Sequence, residues 1–313
     1  MTTSVRIFAT LFNPAVIGLA ALFLSVLWML RDEKDRTRPF LVVALVVNLF
    51  YGWLLTSVMG RENGLVPWKY DYVLANLDRS LGVPTAGIAQ ALQQVRSPLM
   101  VVYQLMVPMM IVWFLVARRN RISESLVIAY VAEMIAGPML YAIVPGCGPL
   151  YTFHALWLHP PAVQAVAIRL SGMPNAFPSL HMATAVVFAS FARGWRSQTF
   201  SILFCMATLL ATISTGEHYA IDLVAGVAFG CFAASVGRLR VFRSAGLLAL
   251  VLSWSLTVRF AYQFLIANPI ALEAFAAGTV IVAAAQIVAE WGSDPELSAS
   301  QANSPVAASA QSI

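Results

Sequence analysis

Two histidines in this chain have neighbours suited to catalysis. His218 and Asp222 are four positions apart in Gly216-Glu217-His218-Tyr219-Ala220-Ile221-Asp222. Residues i and i+4 of a helix share a face, so the carboxylate can hold the imidazole in one tautomer and one orientation. His181 closes the segment Asn175-Ala176-Phe177-Pro178-Ser179-Leu180-His181. Pro178 followed by Ser179 is a helix-start signal, with the Ser179 hydroxyl available to cap free N–H groups at an end that favours anions. An imidazole held by a carboxylate is a competent nucleophile toward phosphorus, and a second imidazole can protonate the departing oxygen. The same three side chains also suit a different chemistry, a two-His, one-carboxylate metal site with open positions. His154 and His159 lie in loop sequence without comparable settings, and Cys147 between two glycines reads as a turn residue rather than a thiol nucleophile.

The elements that must hold these groups are almost free of charge. Of 313 residues 60% are apolar and 11% charged, with a mean hydropathy of +0.78. Ordinary soluble domains carry about 25% charged residues, so a soluble domain and a disordered chain are both excluded. Apolar runs predict membrane spans at 14–30, 40–58, 98–116, 124–144, 180–192, 199–214, 219–237, 244–266 and 270–290. About 20 residues of helix cross the hydrocarbon, and backbone groups in lipid must bond to one another. The runs lack the alternation of a barrel, so the expected fold class is all-α, a polytopic transmembrane bundle of about nine spans.

Loops at 31–39, 117–123, 193–198 and 238–243 hold 12 of the 19 basic residues. With nine spans these loops share one side, which the positive-inside rule makes cytoplasmic. The net charge of +5 is therefore a topology signal and not a nucleic-acid patch. The expected localisation is a multi-pass cell-membrane protein with its C-terminus cytoplasmic and both histidines extracytoplasmic. Asp222 falls a turn inside a span, where a carboxylate is costly enough to imply a partner or a task. Glu133 and Arg259 are comparably costly; they read as structural pairs, for instance Arg259 with Glu273, or, together with Asp222, as the lining of a transport pathway.

Two of these segments resemble motifs of a known family. Phe177-Pro178-Ser179-Leu180-His181 resembles the second motif of the phosphatidic acid phosphatase type 2 superfamily, P-S-G-H, in the P-S-L-H form of its inositol phosphorylceramide synthase-like branch. His218-Tyr219-Ala220-Ile221-Asp222-Leu223 is similar to the third motif, H-x-x-x-D, and Pro145-Gly146-Cys147-Gly148-Pro149-Leu150-Tyr151 sits where the first belongs. The resemblance covers roughly 98–237, with Asp71 to Gly82 a weaker match to the branch's preceding loop. It implies a six-helix catalytic membrane core at 98–237, after N-terminal spans and an outer loop at 1–97 and before C-terminal spans at 238–291 and a disordered tail at 292–313.

The resemblance further implies an enzyme without metal or cofactor. It would transfer a phosphoryl group or phospho-headgroup from a lipid phosphate ester through a phosphohistidine. Water as acceptor makes it a phosphatase, and a hydroxyl compound makes it a phosphotransferase. His218 would be the nucleophile, Asp222 its orienting carboxylate and His181 the general acid and then base, with Ser179 at the phosphate-favouring helix start. The pattern departs at Thr212, where the family has an Arg six residues before the motif His, and in the first motif, which lacks the usual Lys and Arg. Charge on phosphoryl oxygens calls for cations. Arg169, twelve residues before His181, and Arg259 are the substitutes expected to bind substrate.

Overall fold

The computed structural model of the protein describes residues 66–119 and 122–292. The spans expected at 14–30 and 40–58, the basic loop at 31–39 and the tail after residue 292 lie outside the described residues. Within them the apolar runs fold as helices. A short outer segment gives α1 (Asp71–Ser80), α2 (Thr85–Ala91) and α3 (Arg96–Gln104), followed by α4 (Met106–Arg119) and α5 (Ser123–Ile143). A loop with the short helix α6 (Pro149–Phe153) leads to α7 (Leu180–Ser190), α8 (Trp195–Thr215) and α9 (Ala220–Gly237). The described chain ends with α10 (Val241–Phe260), α11 (Tyr262–Ala267) and α12 (Pro269–Gly292). Two short antiparallel strands, β1 (Trp68–Lys69) and β2 (Ile168–Arg169), pair Trp68 with Arg169.

Five of these helices, α5, α8, α9, α10 and α12, are long and apolar enough to cross a membrane, and α7 is a shorter apolar helix. The run expected to span at 98–116 is instead broken at Leu105 into α3 and α4. Pro108 explains the break, because proline lacks an N–H and fits the first turn of a helix rather than its interior. The run at 244–266 likewise divides into α10 and α11.

Helix α9 is the centre of the bundle, packed by α5, α7, α10 and α12 and buried along most of its length. Small residues allow this. A side chain at Gly226 would put its Cβ 2.6 Å from the Ser179 carbonyl oxygen, and one at Gly230 would strike the Ala183 carbonyl. Two glycines four apart on α9 thus lie on two carbonyls four apart on α7, a small-residue seam of the kind that brings membrane helices into backbone contact. The two helices run parallel along it, so their N-termini, and with them His181 and His218, meet at one end of the bundle.

The opposite end carries the basic turns. Glu290 of α12 is fully buried there, with Arg238 at 3.0 Å, Arg240 at 2.6 Å and Arg243 at 3.1 Å. Arg193 donates to the Glu290 backbone carbonyl at 3.3 Å.

Candidate active site

The turn between α8 and α9 delivers His218 to the bundle end. Its Nδ1 lies 2.9 Å from the carbonyl oxygen of Ala176, two residues before Pro178. A carbonyl can only accept, so Nδ1 carries the proton and Nε2 keeps its lone pair. Asp222, expected to set this orientation, has Oδ2 at 3.6 Å from Nδ1, beyond hydrogen-bond reach. That oxygen accepts the Tyr219 N–H at 2.8 Å as part of a capping box on α9. Asp222 Oδ1 has no hydrogen-bond partner among the described residues. The backbone therefore fixes the tautomer, and the Asp222 carboxyl lies beside the ring without bonding it.

His181 stands in the first turn of α7, its ring centroid 5.9 Å from that of His218 with the planes at 64°. The His181 ring also stacks on Tyr103 of α3, centroids 3.9 Å apart and planes at 23°. Ser179 is the N-cap of α7, where its hydroxyl accepts the Met182 N–H at 3.3 Å. The Ser179 N–H donates to the Asp222 carbonyl at 3.0 Å, tying the two histidine segments together.

Two carboxylates that sequence reasoning did not single out hold these segments in place. Asp71 of α1 accepts the N–H groups of Cys147 at 3.0 Å and Gly148 at 2.9 Å, and the Tyr219 hydroxyl at 3.2 Å. Asp78, two turns along the same face, accepts the N–H groups of Ala220 at 2.9 Å and Ile221 at 3.0 Å, at the start of α9. Burial raises the pKa of both carboxyls, that of Asp78 to about 7, against the pull of these donors. The available signal was two aspartates seven apart on a helix whose remaining face is Val73, Leu74 and Leu77. The Pro145–Pro149 loop completes the frame. Ala176 donates to the Gly146 carbonyl at 2.8 Å, and Leu150 to that of Gly216 at 2.8 Å. Burial and the Asp71 charge push the Cys147 thiol up to about 12, so it is a turn residue and not a thiolate.

Polar groups ring the mouth. The Tyr151 hydroxyl donates to Glu217 Oε1 at 3.0 Å, and the Arg96 guanidinium lies over the Trp157 ring at 5.3 Å. A cavity of about 190 Å³ beside His218 is lined by Asp78, Arg79, Thr85, Phe153, Trp157 and Tyr219 among others. Burial lowers the His218 pKa to about 4, with the neighbouring Glu217 charge and the Ala176 carbonyl opposing the shift. Among the described residues, neither expected substitute cation is in hydrogen-bond or ring contact with the imidazoles. Arg169 is exposed on β2, and Arg259 donates to the Ile143 carbonyl at 2.9 Å with its guanidinium over Tyr70. Arg259 is thus paired with a backbone carbonyl rather than with Glu273. No group of three or more His, Cys, Asp or Glu side chains among the described residues is placed to hold a metal ion.

A helical bundle with five membrane-length helices and an imidazole pair at one end defines a class of membrane-compatible histidine sites. The sequence model of the PAP2 superfamily matches residues 73–236, just over half of the chain, and the chain belongs to that superfamily. Membership points to phosphatase or phosphoryl-transfer chemistry on lipid-like phosphate esters. Comparison with curated proteins and with solved structures gives no match.

Proposed function

We propose that the protein transfers a phosphoryl group or phospho-headgroup from a lipid phosphate ester through a phosphohistidine on His218, at the extracytoplasmic end of a bundle of about nine spans. The observation that carries this reading is the bond from His218 Nδ1 to the Ala176 carbonyl, which leaves the Nε2 lone pair on the nitrogen that can attack. Nε2 attacks phosphorus, the P–O ester bond breaks, and protonated His181 gives its proton to the departing oxygen. Neutral His181 then takes a proton from water or a hydroxyl acceptor, whose oxygen displaces Nε2 from phosphorus. Asp222 stabilises positive charge on the His218 ring during both steps. Residues Asp71 and Asp78 are positioning groups. The P-S-L-H form at 178–181 favours the inositol phosphorylceramide synthase-like branch, and hence a hydroxyl acceptor.

Purified protein incubated with a labelled lipid phosphate in chelator, with and without an alcohol acceptor, tests this. Turnover is expected for wild type and absent in His218→Ala, with an acid-labile, base-stable phosphate trapped on His218. Full turnover by His218→Ala would sink the reading. The product in the acceptor arm separates phosphatase from transferase.

A further inference from the structure

Phosphoryl transfer needs a cation at the phosphate oxygens, because charge there must be met by fixed donors. The described cations at the histidine end are Lys69, Arg79, Arg96, Arg169 and Arg259. Four are unsuited. Lys69 is fully buried and donates to the Val66 carbonyl at 2.7 Å, and Arg79, although it lines the His218 cavity, is held by the Pro161 carbonyl at 2.7 Å. Arg259 is held by the Ile143 carbonyl, and Arg169 is exposed on β2.

Arg96 differs from all of these. Its guanidinium makes no hydrogen bond among the described residues and rests on the face of Trp157. The Trp157 ring in turn lies on Gly216, 2.8 Å from where a Cβ there would be, two residues before His218. Trp157 and His218 also line the same cavity. A second observation places the same helix at the site. Tyr103, two turns along the same face of α3, stacks on His181. Helix α3 thus presents Tyr103 to the general acid and Arg96 to Trp157, whose ring lines the cavity beside the nucleophile. The charge of Arg96 also favours the ionised form of Glu217, the residue before His218.

We propose that Arg96 is the cation that grips the phosphate oxygens of the substrate, with the Trp157 face as its resting place before substrate arrives. An arginine fork left with its donors free suits two phosphate oxygens at once. The inference rests on the phosphoryl-transfer reading for the identity of its ligand.

Inorganic phosphate is the probe. Its binding to the purified full chain is followed at constant ionic strength by thermal shift and tryptophan fluorescence, for wild type, Arg96→Ala, Arg96→Lys and Arg196→Ala. Arg196 lies over Trp195 at 5.4 Å on the first turn of α8, away from the histidines, and controls for losing a stacked arginine. The expected result is phosphate binding at least tenfold weaker in Arg96→Ala, an intermediate loss in Arg96→Lys, and no loss in Arg196→Ala. On lipid phosphate the same variant should raise KM more than it lowers kcat. Phosphate binding by Arg96→Ala within twofold of wild type overturns the inference, as does loss in Arg79→Ala or Arg169→Ala instead, or wild type that binds no phosphate. Should Arg96→Ala not fold, Arg96→Gln, which keeps the stem over Trp157 but removes the charge, makes the same comparison. Arg96-dependent binding without lipid turnover would refute the phosphoryl-transfer reading alone. Turnover that needs His218 but not Arg96 would refute this inference alone.

Discussion

The imidazole of His218 is held by a backbone carbonyl, and this decides how its activity should respond to acid. Burial of the ring favours the neutral form against the pull of the Ala176 oxygen on Nδ1–H, and its pKa lies at about 4 instead of the usual 6.5. On the proposed mechanism the nucleophile therefore stays unprotonated well below neutrality. With a phosphodiester lipid, which does not itself titrate in this range, the acid limb of kcat/KM, set by protonation of His218, is expected to fall only toward pH 4, while loss of the proton from the general acid His181 lowers kcat/KM as pH rises. An acid limb with its half-maximal point near 6.5 would contradict the buried ring. The stability of the fold has the same sign: between 6.5 and 4 the unfolded chain takes up a proton that folded His218 refuses, so stability falls as pH drops through that window. The spacing of His218 and Asp222 singled out a histidine that the fold brings beside His181, but Asp222 is not the group that hydrogen-bonds its ring. Every residue has a carbonyl, so Ala176 carries no mark in the sequence, and only the path of the chain before Pro178 brings it to the ring. The distance of 3.6 Å from Asp222 follows from the prior claim of the Tyr219 N–H on the same oxygen.

Helix α1 matters more than its length suggests. Its two buried carboxylates bind backbone donors of segments that lie 76 to 143 residues away, Asp71 the Cys147–Gly148 loop and Asp78 the first turn of α9. A helix start leaves its first N–H groups without intrahelical partners, and a carboxylate satisfies them while also meeting the positive end of the helix. Asp78→Ala removes both acceptors from buried donors, at a cost of about 1–3 kcal/mol for each unsatisfied group. Asp78→Asn keeps one acceptor oxygen and should lose less. Denaturant midpoints in detergent are expected to fall in the order wild type, Asn, Ala, with kcat falling in the same order as the His218 turn loosens. Equal midpoints for wild type and Ala would mean that the cap contributes nothing. The positions of α5, α7, α8, α9 and α12 were legible as uninterrupted apolar runs, because length and hydropathy decide what can cross a bilayer. The break at Leu105 was less so. A run that reads as one span on hydropathy contains Pro108, and the choice between a kinked helix and two helices depends on what packs around the break.

The two ends of the bundle do different work, and they can be separated by mutation. The end with His181 and His218 holds the proposed chemistry. At the other end, Glu290 of the last described helix gathers Arg238, Arg240 and Arg243 from the turn into α10, and its backbone carbonyl takes a bond from Arg193. The basic loops at 193–198 and 238–243, counted as an orientation signal from sequence, thus have a second role that counting charges does not reveal: they lock α12 against α7, α9 and α10. Their shared end agrees with the side that the positive-inside rule assigns to the cytoplasm, and the histidine end is then extracytoplasmic on our reading. The acidic partner was hidden because Glu290 stands at the close of an apolar run and resembles any boundary residue. Removing its charge leaves three guanidinium groups without their counter-charge; the cost falls mainly on the mostly buried Arg238, because Arg240 and Arg243 are partly exposed and screened by solvent. Glu290→Gln is therefore expected to lower the thermal midpoint in detergent, while kcat/KM on lipid phosphate, measured well below that midpoint, stays within about twofold of wild type. A variant as stable as wild type but inactive would show that the clasp communicates with the histidines across the whole length of α9, and the division between the two ends would fail.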